Sequence, residues 1–345
     1  MDEERLPAKL EEFECRNNRL ARLGLSQDGF EVAVRSLARR LRPDRIGVWL
    51  GTSTAGILDT ELAYRRRDAA SGALPDGFRY RGAHNTFSVA AFVQRALGLE
   101  GPAAVISSAC SSSAKVFASA QRAIEAGLVD AAVVGGVDSL CLTTLYGFHS
   151  LQLVARTPCR PFDSARDGLS IGEAAAFALL ERVSGDLPKD SVLLLGTGES
   201  SDAWHMSAPH PEGRGAAAAM QQALAAAHLR SEDIDYINFH GTGTPSNDAA
   251  EARAVGAVLG PRVPGSSTKG ATGHTLGAAG ALEAVICALA LRHGVMPGGV
   301  NTQTVDATLP VSYLTASRRA PLKAVMSNSF GFGGSNCSLI FGTAP

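Results

Sequence analysis

Residues 103–125 read AAVISSACSSSAKVFASAQRAIE, and this stretch decides the fold. AAVIS is a short continuous apolar run, as a strand buried on both faces requires. From Ser111 to Glu125 the apolar positions Phe117, Ala120 and Ile124 fall on one helical face, and Gly127 follows as a stop. A strand running straight into a helix through small residues is one step of an α/β protein. Similar strand-like runs occur at 45–51, 130–136 and 174–181, and again at 191–196, 235–240, 262–268, 324–328 and 336–341. Helical patterns cover 216–228, 249–259 and 276–293. Strands that are continuous apolar runs imply sheets covered on both faces by helices. The segment SGDLPKD (184–190) has linker composition, and the order of elements then begins again. The chain is therefore expected to be two copies of one α/β unit, residues 1–185 and 186–345.

The chain has 345 residues, 32 basic and 33 acidic side chains, and 45% hydrophobic residues. A net charge of −1 offers no positive field for a nucleic acid backbone or an anionic membrane. The first 20 residues, MDEERLPAKLEEFECRNNRL, are charged throughout, unlike a secretory signal, and a cytoplasmic setting is expected. The apolar stretch 276–291 is short for a membrane span and carries Glu283, so it reads as a buried core helix. The six cysteines show neither CxxC pairs nor zinc-like spacing, and no metal site is expected.

Cys110 stands where a strand meets a helix, beside unpaired N–H groups and the positive end of the helix dipole, and both favour the thiolate. A thiolate exchanges with a thioester to leave an acylated enzyme. His240 ends the apolar run DYINFH and enters GTGTP, while His274 lies in STKGATGHTLGAAGALE, before another helix start. Strand ends are where α/β sheets place their sites. One cysteine and two histidines at three such turns form a candidate catalytic set.

Five segments carry a family resemblance: SSACSSSAKVF (107–117), RPFDSARDGLSIGE (160–173), NFHGTGTPSNDAAE (238–251), SSTKGATGHTLGAAGALEAV (266–285) and SNSFGFGGSN (327–336). In this order they resemble the signature blocks of the β-ketoacyl-acyl carrier protein synthases, with the first block most similar to ketosynthases of aryl-polyene clusters. The resemblance implies a thiolase-like fold with duplicated halves in αβαβα layers. It makes Cys110 the nucleophile that takes the acyl chain, and His240 and His274 the pair that decarboxylates malonyl-acyl carrier protein. The condensation would be decarboxylative and Claisen-type, in fatty acid, polyketide or aryl-polyene synthesis. Lys269 would support the site and pair with Glu283. Thr242, Thr244 and Ser207 would bind the phosphopantetheine arm, Ser207 standing where the family usually has threonine. Phe332 would gate the acyl pocket beside Phe330, and the N–H groups of Cys110 and Phe332 would form the oxyanion hole. Asn336 and Glu283 would help order the site. Asp163, Arg166, Asp167 and Glu173 would form structural ion pairs.

No tightly bound cofactor is implied, because substrates arrive on the phosphopantetheine of acyl carrier protein. A homodimer, or a heterodimer with a chain-length factor, is expected. The alternative is a non-catalytic partner subunit of the chain-length-factor kind, which the presence of Cys110 and both histidines opposes. A degradative thiolase would use a second cysteine near Cys337 as base, and an acetyl-CoA-primed synthase would have asparagine at 274. Residues 1–44 contain no run like the first strand of the second half. They are expected to be mainly helical, leaving the first sheet one strand short.

Overall fold

The computed structural model describes residues 5–344 apart from 184, 186 and 189, which include part of the expected linker. Its strands are β1 (Ile46–Gly51), β2 (Ala103–Ile106), β3 (Ala131–Asp138), β4 (Ala174–Glu181), β5 (Val192–Ser201), β6 (Tyr236–Asn238), β7 (Pro264–Ser266), β8 (Val295–Met296), β9 (Ser312–Tyr313), β10 (Arg318–Arg319), β11 (Ala324–Gly331) and β12 (Ser335–Thr343). The α-helices are α1 (Arg16–Leu25), α2 (Phe30–Leu41), α3 (Ile57–Arg65), α4 (Ser88–Leu97), α5 (Ser112–Glu125), α6 (Leu142–Ser150), α7 (Arg214–Ala227), α8 (Pro245–Val258), α9 (Lys269–Thr272) and α10 (Ala279–His293).

Four strands form the first sheet in the order β2-β1-β3-β4, and six form the second in the order β5-β12-β11-β6-β7-β9. In each, the inner strands are parallel and the last long strand returns antiparallel, β4 against β3 and β12 against β11. The sheets thus repeat one topology, with β4-β3-β1-β2 matching β12-β11-β6-β7. Only the second sheet has a further strand, β5, beyond β12. Residues 5–44 hold α1, α2 and a 3-10 turn and no strand, as the sequence leads one to expect. The absent strand is an edge strand, since β5 pairs with β12 alone.

One core contains residues of α5 and α10 together with Val134 and Ala176 of the first sheet and Val325 and Leu339 of the second, so these two helices form the middle layer. A second core lies on the far side of the first sheet under α1, α2 and α4, and a third beyond the second sheet under α7 and α8. The five layers are therefore αβαβα. Helix α10 is apolar enough to span a membrane by composition, but it packs against β4, β11 and α5 as a central core helix.

Small residues let the central helices approach. A Cβ on Gly280 of α10 would lie 2.5 Å from the Ala114 nitrogen of α5, and one on Gly51 would lie 2.3 Å from the Ser113 nitrogen. A real side chain at 280 would force two backbones apart. Gly280→Val is expected to destabilise the protein by about 1–3 kcal/mol or more, the usual range for overpacking, measured by chemical denaturation.

Candidate active site

The nucleophile candidate sits on a strained turn. β2 ends at Ile106 and α5 begins at Ser112, and between them Ala109 has φ +53°, a left-handed conformation unfavourable for alanine. The serines of the motif brace this turn. The Ser112 hydroxyl donates to the Ala109 carbonyl (2.5 Å) and accepts the Ser108 N–H (2.9 Å), and the Ser111 hydroxyl donates to the Ser108 carbonyl (2.9 Å).

His274 leads toward α10, and its Nε2 lies 3.0 Å from the Cys110 sulfur. His240 follows β6, and its ring stands 5.3 Å from that of His274 at 84°. The Cys110 sulfur and one nitrogen of each imidazole all fall within 4.8 Å of one another. All three side chains are buried. Burial first, and then the Lys269 charge, holds both imidazoles well below the ordinary histidine pKa, so both are neutral near pH 7.

The thiol differs from the sequence-based reading, in which the helix dipole favours thiolate. Burial pushes Cys110 up to about 11, outweighing Lys269 and the Phe332 N–H, which act in the opposite direction. The resting group is a thiol. The Phe332 N–H bond to its sulfur places one of the two expected oxyanion donors at the reacting atom.

Lys269 is 1% exposed and its Nζ pairs with Glu283 Oε1, as the sequence motif implies. Burial raises Glu283 to about 7, with Lys269 acting against it. Lys269 Nζ also lies 3.4 Å from His240 Nδ1. An ammonium can only donate there, so Nδ1 accepts and the proton of neutral His240 is on Nε2.

Cys110, both histidines, Thr242, Thr244, Ser207, Phe330, Phe332 and Asn336 line one pocket of about 50 Å³. The Thr242 and Thr244 hydroxyls are 2.9 Å apart. Phe330 stands 5.9 Å from the His240 ring. Asn336 is not drawn to Glu283: its amide donates to Asp202 Oδ1 (2.8 Å) and Ser200 Oγ (3.3 Å).

The expected ion pairs form in part. Arg166 pairs with Asp306 at 2.7 Å and approaches Asp248 at 3.7 Å, and Glu173 pairs with Arg16 at 2.7 Å. Asp163 instead accepts the backbone N–H groups of Ala165, Gln303 and Thr304, and Asp167 accepts that of Arg156, because loop amides rather than cations face them.

Five residues of the site region escape a sequence reading. Fully buried Asp138, which ends β3, accepts hydrogen bonds from Thr52, Ser53, Thr54 and the Gly277 N–H, tying the first sheet to the start of α10. Asp202 bonds Asn336 and the His210 N–H, and its own N–H donates to Gly334, so it joins two pocket loops. Glu251 accepts the N–H groups of His240 and Gly241, each at 2.8 Å, and Asp248 accepts those of Phe162 and Gly243. Asp248 and Glu251 are three apart on α8, and that spacing inside the quoted block was the available signal. Phe148 of α6 packs its ring 5.4 Å from that of Phe332 and has no sequence signal at all.

Comparison with known proteins follows this geometry. Residues 26–185 match the family described as "Beta-ketoacyl synthase, N-terminal domain", and residues 192–303 match "Beta-ketoacyl synthase, C-terminal domain". The chain is 38% identical over 262 residues to the mitochondrial 3-oxoacyl-[acyl-carrier-protein] synthase of Arabidopsis thaliana, covering 71% of this chain and 57% of that one. It is 36% identical over 306 residues to Nodulation protein E of Rhizobium meliloti, covering 86% and 75%. Among solved structures, the ketosynthase ApeO of Xenorhabdus doucetiae, determined in complex with its chain length factor ApeC, aligns with TM-score 0.90 and 44% identity over 99% of this chain and 84% of that one. A β-ketoacyl synthase from Burkholderia phymatum aligns with TM-score 0.85 and 31% identity, over 98% of this chain and 85% of that one. Fold and site together define the thiolase-like class of ketosynthases. The chain belongs to the β-ketoacyl synthase family.

The Glu251 carboxylate holds the backbone of His240 with no salt bridge among the described residues, and burial raises it to about 7. A carboxyl whose pKa is raised on folding favours the native state at low pH, and that contribution is lost as pH rises through about 4.5 to 7. Glu251→Gln is expected to be less stable at every pH, because one acceptor is lost, but to show a flatter decline in stability between pH 5 and about 8, measured by urea unfolding across that range.

Proposed function

We propose that this chain is a 3-oxoacyl-[acyl-carrier-protein] synthase that joins an acyl group held on Cys110 to a two-carbon unit from malonyl-acyl carrier protein. The observation that carries this reading is the convergence of the Cys110 sulfur and two neutral imidazoles within 4.8 Å in one buried pocket. On this reading residues 1–185 supply the nucleophile and residues 186–345 supply the histidines and the gate.

In the first half-reaction the Cys110 sulfur attacks the acyl thioester. The oxyanion is held by the N–H groups of Phe332 and Cys110, the latter without a partner among the described residues. Collapse expels the phosphopantetheine sulfur, which takes up the proton lost by Cys110, so the exchange is proton-neutral. The His274 Nε2–H and the Phe332 N–H support charge on the sulfur between the two steps.

In the second half-reaction the malonyl carboxylate leaves as carbon dioxide and its bonding pair passes into the thioester as an enolate. Nε2–H groups of His240 and His274 stabilise the enolate oxygen, and Lys269 fixes the His240 tautomer that makes this donation possible. The enolate carbon attacks the acyl-Cys110 carbonyl, a carbon–carbon bond forms, and the Cys110 sulfur departs. Thr242, Thr244 and Ser207 flank the path of the phosphopantetheine arm. No tightly bound cofactor enters these steps.

The pocket as it stands is too small for an acyl chain, since each methylene occupies about 27 Å³ in a close-packed interior. Phe332 and Phe148, whose rings lean together, have to part before a chain can enter. Gly333 and Gly334 carry φ +79° and +76° and give the Phe332 loop that freedom.

A heterodimer with a chain-length factor suits the surface. Helix α6 buries none of its residues, and Leu145, Tyr146 and Leu151 are exposed on or beside it. ApeO was determined with such a partner, and the aryl-polyene assignment belongs to the same proposal. A cytoplasmic setting fits six free, buried cysteines.

Acyl transfer from an acyl carrier protein thioester is expected to label the wild-type chain and leave Cys110→Ala unlabelled, as read by intact-protein mass spectrometry. Absence of Cys110-dependent label with every chain length would leave the partner-subunit reading instead. Phe148→Ala is expected to shift the preference toward longer acyl chains by about tenfold in relative kcat/KM, roughly 1.4 kcal/mol, with Cys110 acylation by short chains retained.

A further inference from the structure

The repeated topology allows each strand of the first sheet to be compared with its counterpart in the second. β4 and β12 occupy the same place: each runs antiparallel to a central strand and contributes alternate residues to the middle core and to an outer core. Ala176, Ala178 and Leu180 face the middle layer, while Ala175, Phe177 and Leu179 face α1 and α2, so both faces of β4 are covered. Yet only one of its eight residues is buried, against seven of nine in β12. The difference lies at the edge. β12 is covered by β5 through nine paired residues, whereas β4 has no strand on its outer side and its outward backbone groups have no partner among the described residues.

An open strand edge is a template for another strand unless something blunts it. β5, the edge of the second sheet, carries Gly196, Gly198 and Glu199, and its ladder is irregular at Ile340/Phe341. The run AAAFALL in β4 carries no charge, proline or register shift before Glu181. It is as apolar as a strand meant for the interior of a sheet.

We infer that the outer edge of β4 is a strand-accepting site whose occupant is an extended apolar segment about as long as β4 itself, running antiparallel to it as β5 runs to β12. The inference rests on topology, pairing and burial, and not on the catalytic reading. The occupant completes a five-strand array, removes the exposed edge, and buries the flanks of Phe177, Leu179 and Leu180.

The chain's own β5 sequence, VLLLGTGESS, is the probe, because it already plays this part in the other half. It is added to the full chain as a free peptide and, separately, joined ahead of Met1 through a flexible glycine-serine linker, which raises its effective concentration. The readout is amide hydrogen exchange resolved over Ala174–Glu181. In the unmodified chain, outward β4 amides are expected to exchange faster than those of β12. With the tethered strand they slow by about tenfold or more, and the melting temperature rises. A strand with prolines at alternate positions gives neither effect, since it cannot donate to the ladder. The inference is overturned if β4 amides are already as protected as those of β12, or if neither tethered nor free strand slows them. It is also overturned if protection rises with protein concentration in the absence of peptide, which would make a second copy the occupant. Cys110 acylation is measured on the same samples and reads the catalytic proposal independently.

Discussion

The contact between α5 and α10 is the constraint on which the rest depends. Cys110 precedes one of these helices and His274 the other, so the distance between sulfur and imidazole is set by how closely the helix starts approach. Gly280 against Ala114, Gly51 against Ser113, and Gly136 against Ser113 and Ala278 are approaches that leave no room for a side chain. Asp138 secures the junction by accepting N–H groups from the end of the first sheet and from Gly277. Shape and polar satisfaction thus act at one place. The apolar middle layer supplies the force that compresses it.

Burial then sets the chemistry. It keeps both imidazoles neutral, keeps Cys110 a thiol, and raises the carboxyls of Glu251 and Glu283. An unpaired charge in such a place would be strongly destabilising, and removal of one partner of a buried ion pair typically costs about 3–5 kcal/mol. Lys269 is tolerated because Glu283 faces it, and it uses a further proton to orient His240. One ion pair therefore both meets the demands of burial and fixes a tautomer, which links the stability of the core to the donor that the second half-reaction needs.

Much of this was legible along the chain. The apolar runs located every long strand, and the turns carrying Cys110, His240 and His274 marked the site, because small residues at strand ends serve backbone approach and side-chain display together. The ends of elements were less legible: β6 and β7 are only three residues each, while β5 extends to Ser201 and β11 to Gly331. Strand length there follows from pairing with a neighbour distant in sequence. Phe148 had no local signal, since its importance lies in touching Phe332 across 184 positions of chain. Asp163 and Asp167 look like ion-pair partners in RPFDSARDG, and only the folded loops show that backbone amides face them.

Sequence alone determined the α/β repeat, the identity of the three converging residues and the lack of a first strand in residues 5–44. Those properties are local, written in periodicity, in turn residues and in short motifs. Tertiary structure decided the protonation of Cys110, the tautomer of His240, the closed state of the pocket and the open edge of β4. Each of these depends on what surrounds a group in space: how much water is excluded, which donor faces it, and whether a neighbouring strand is present.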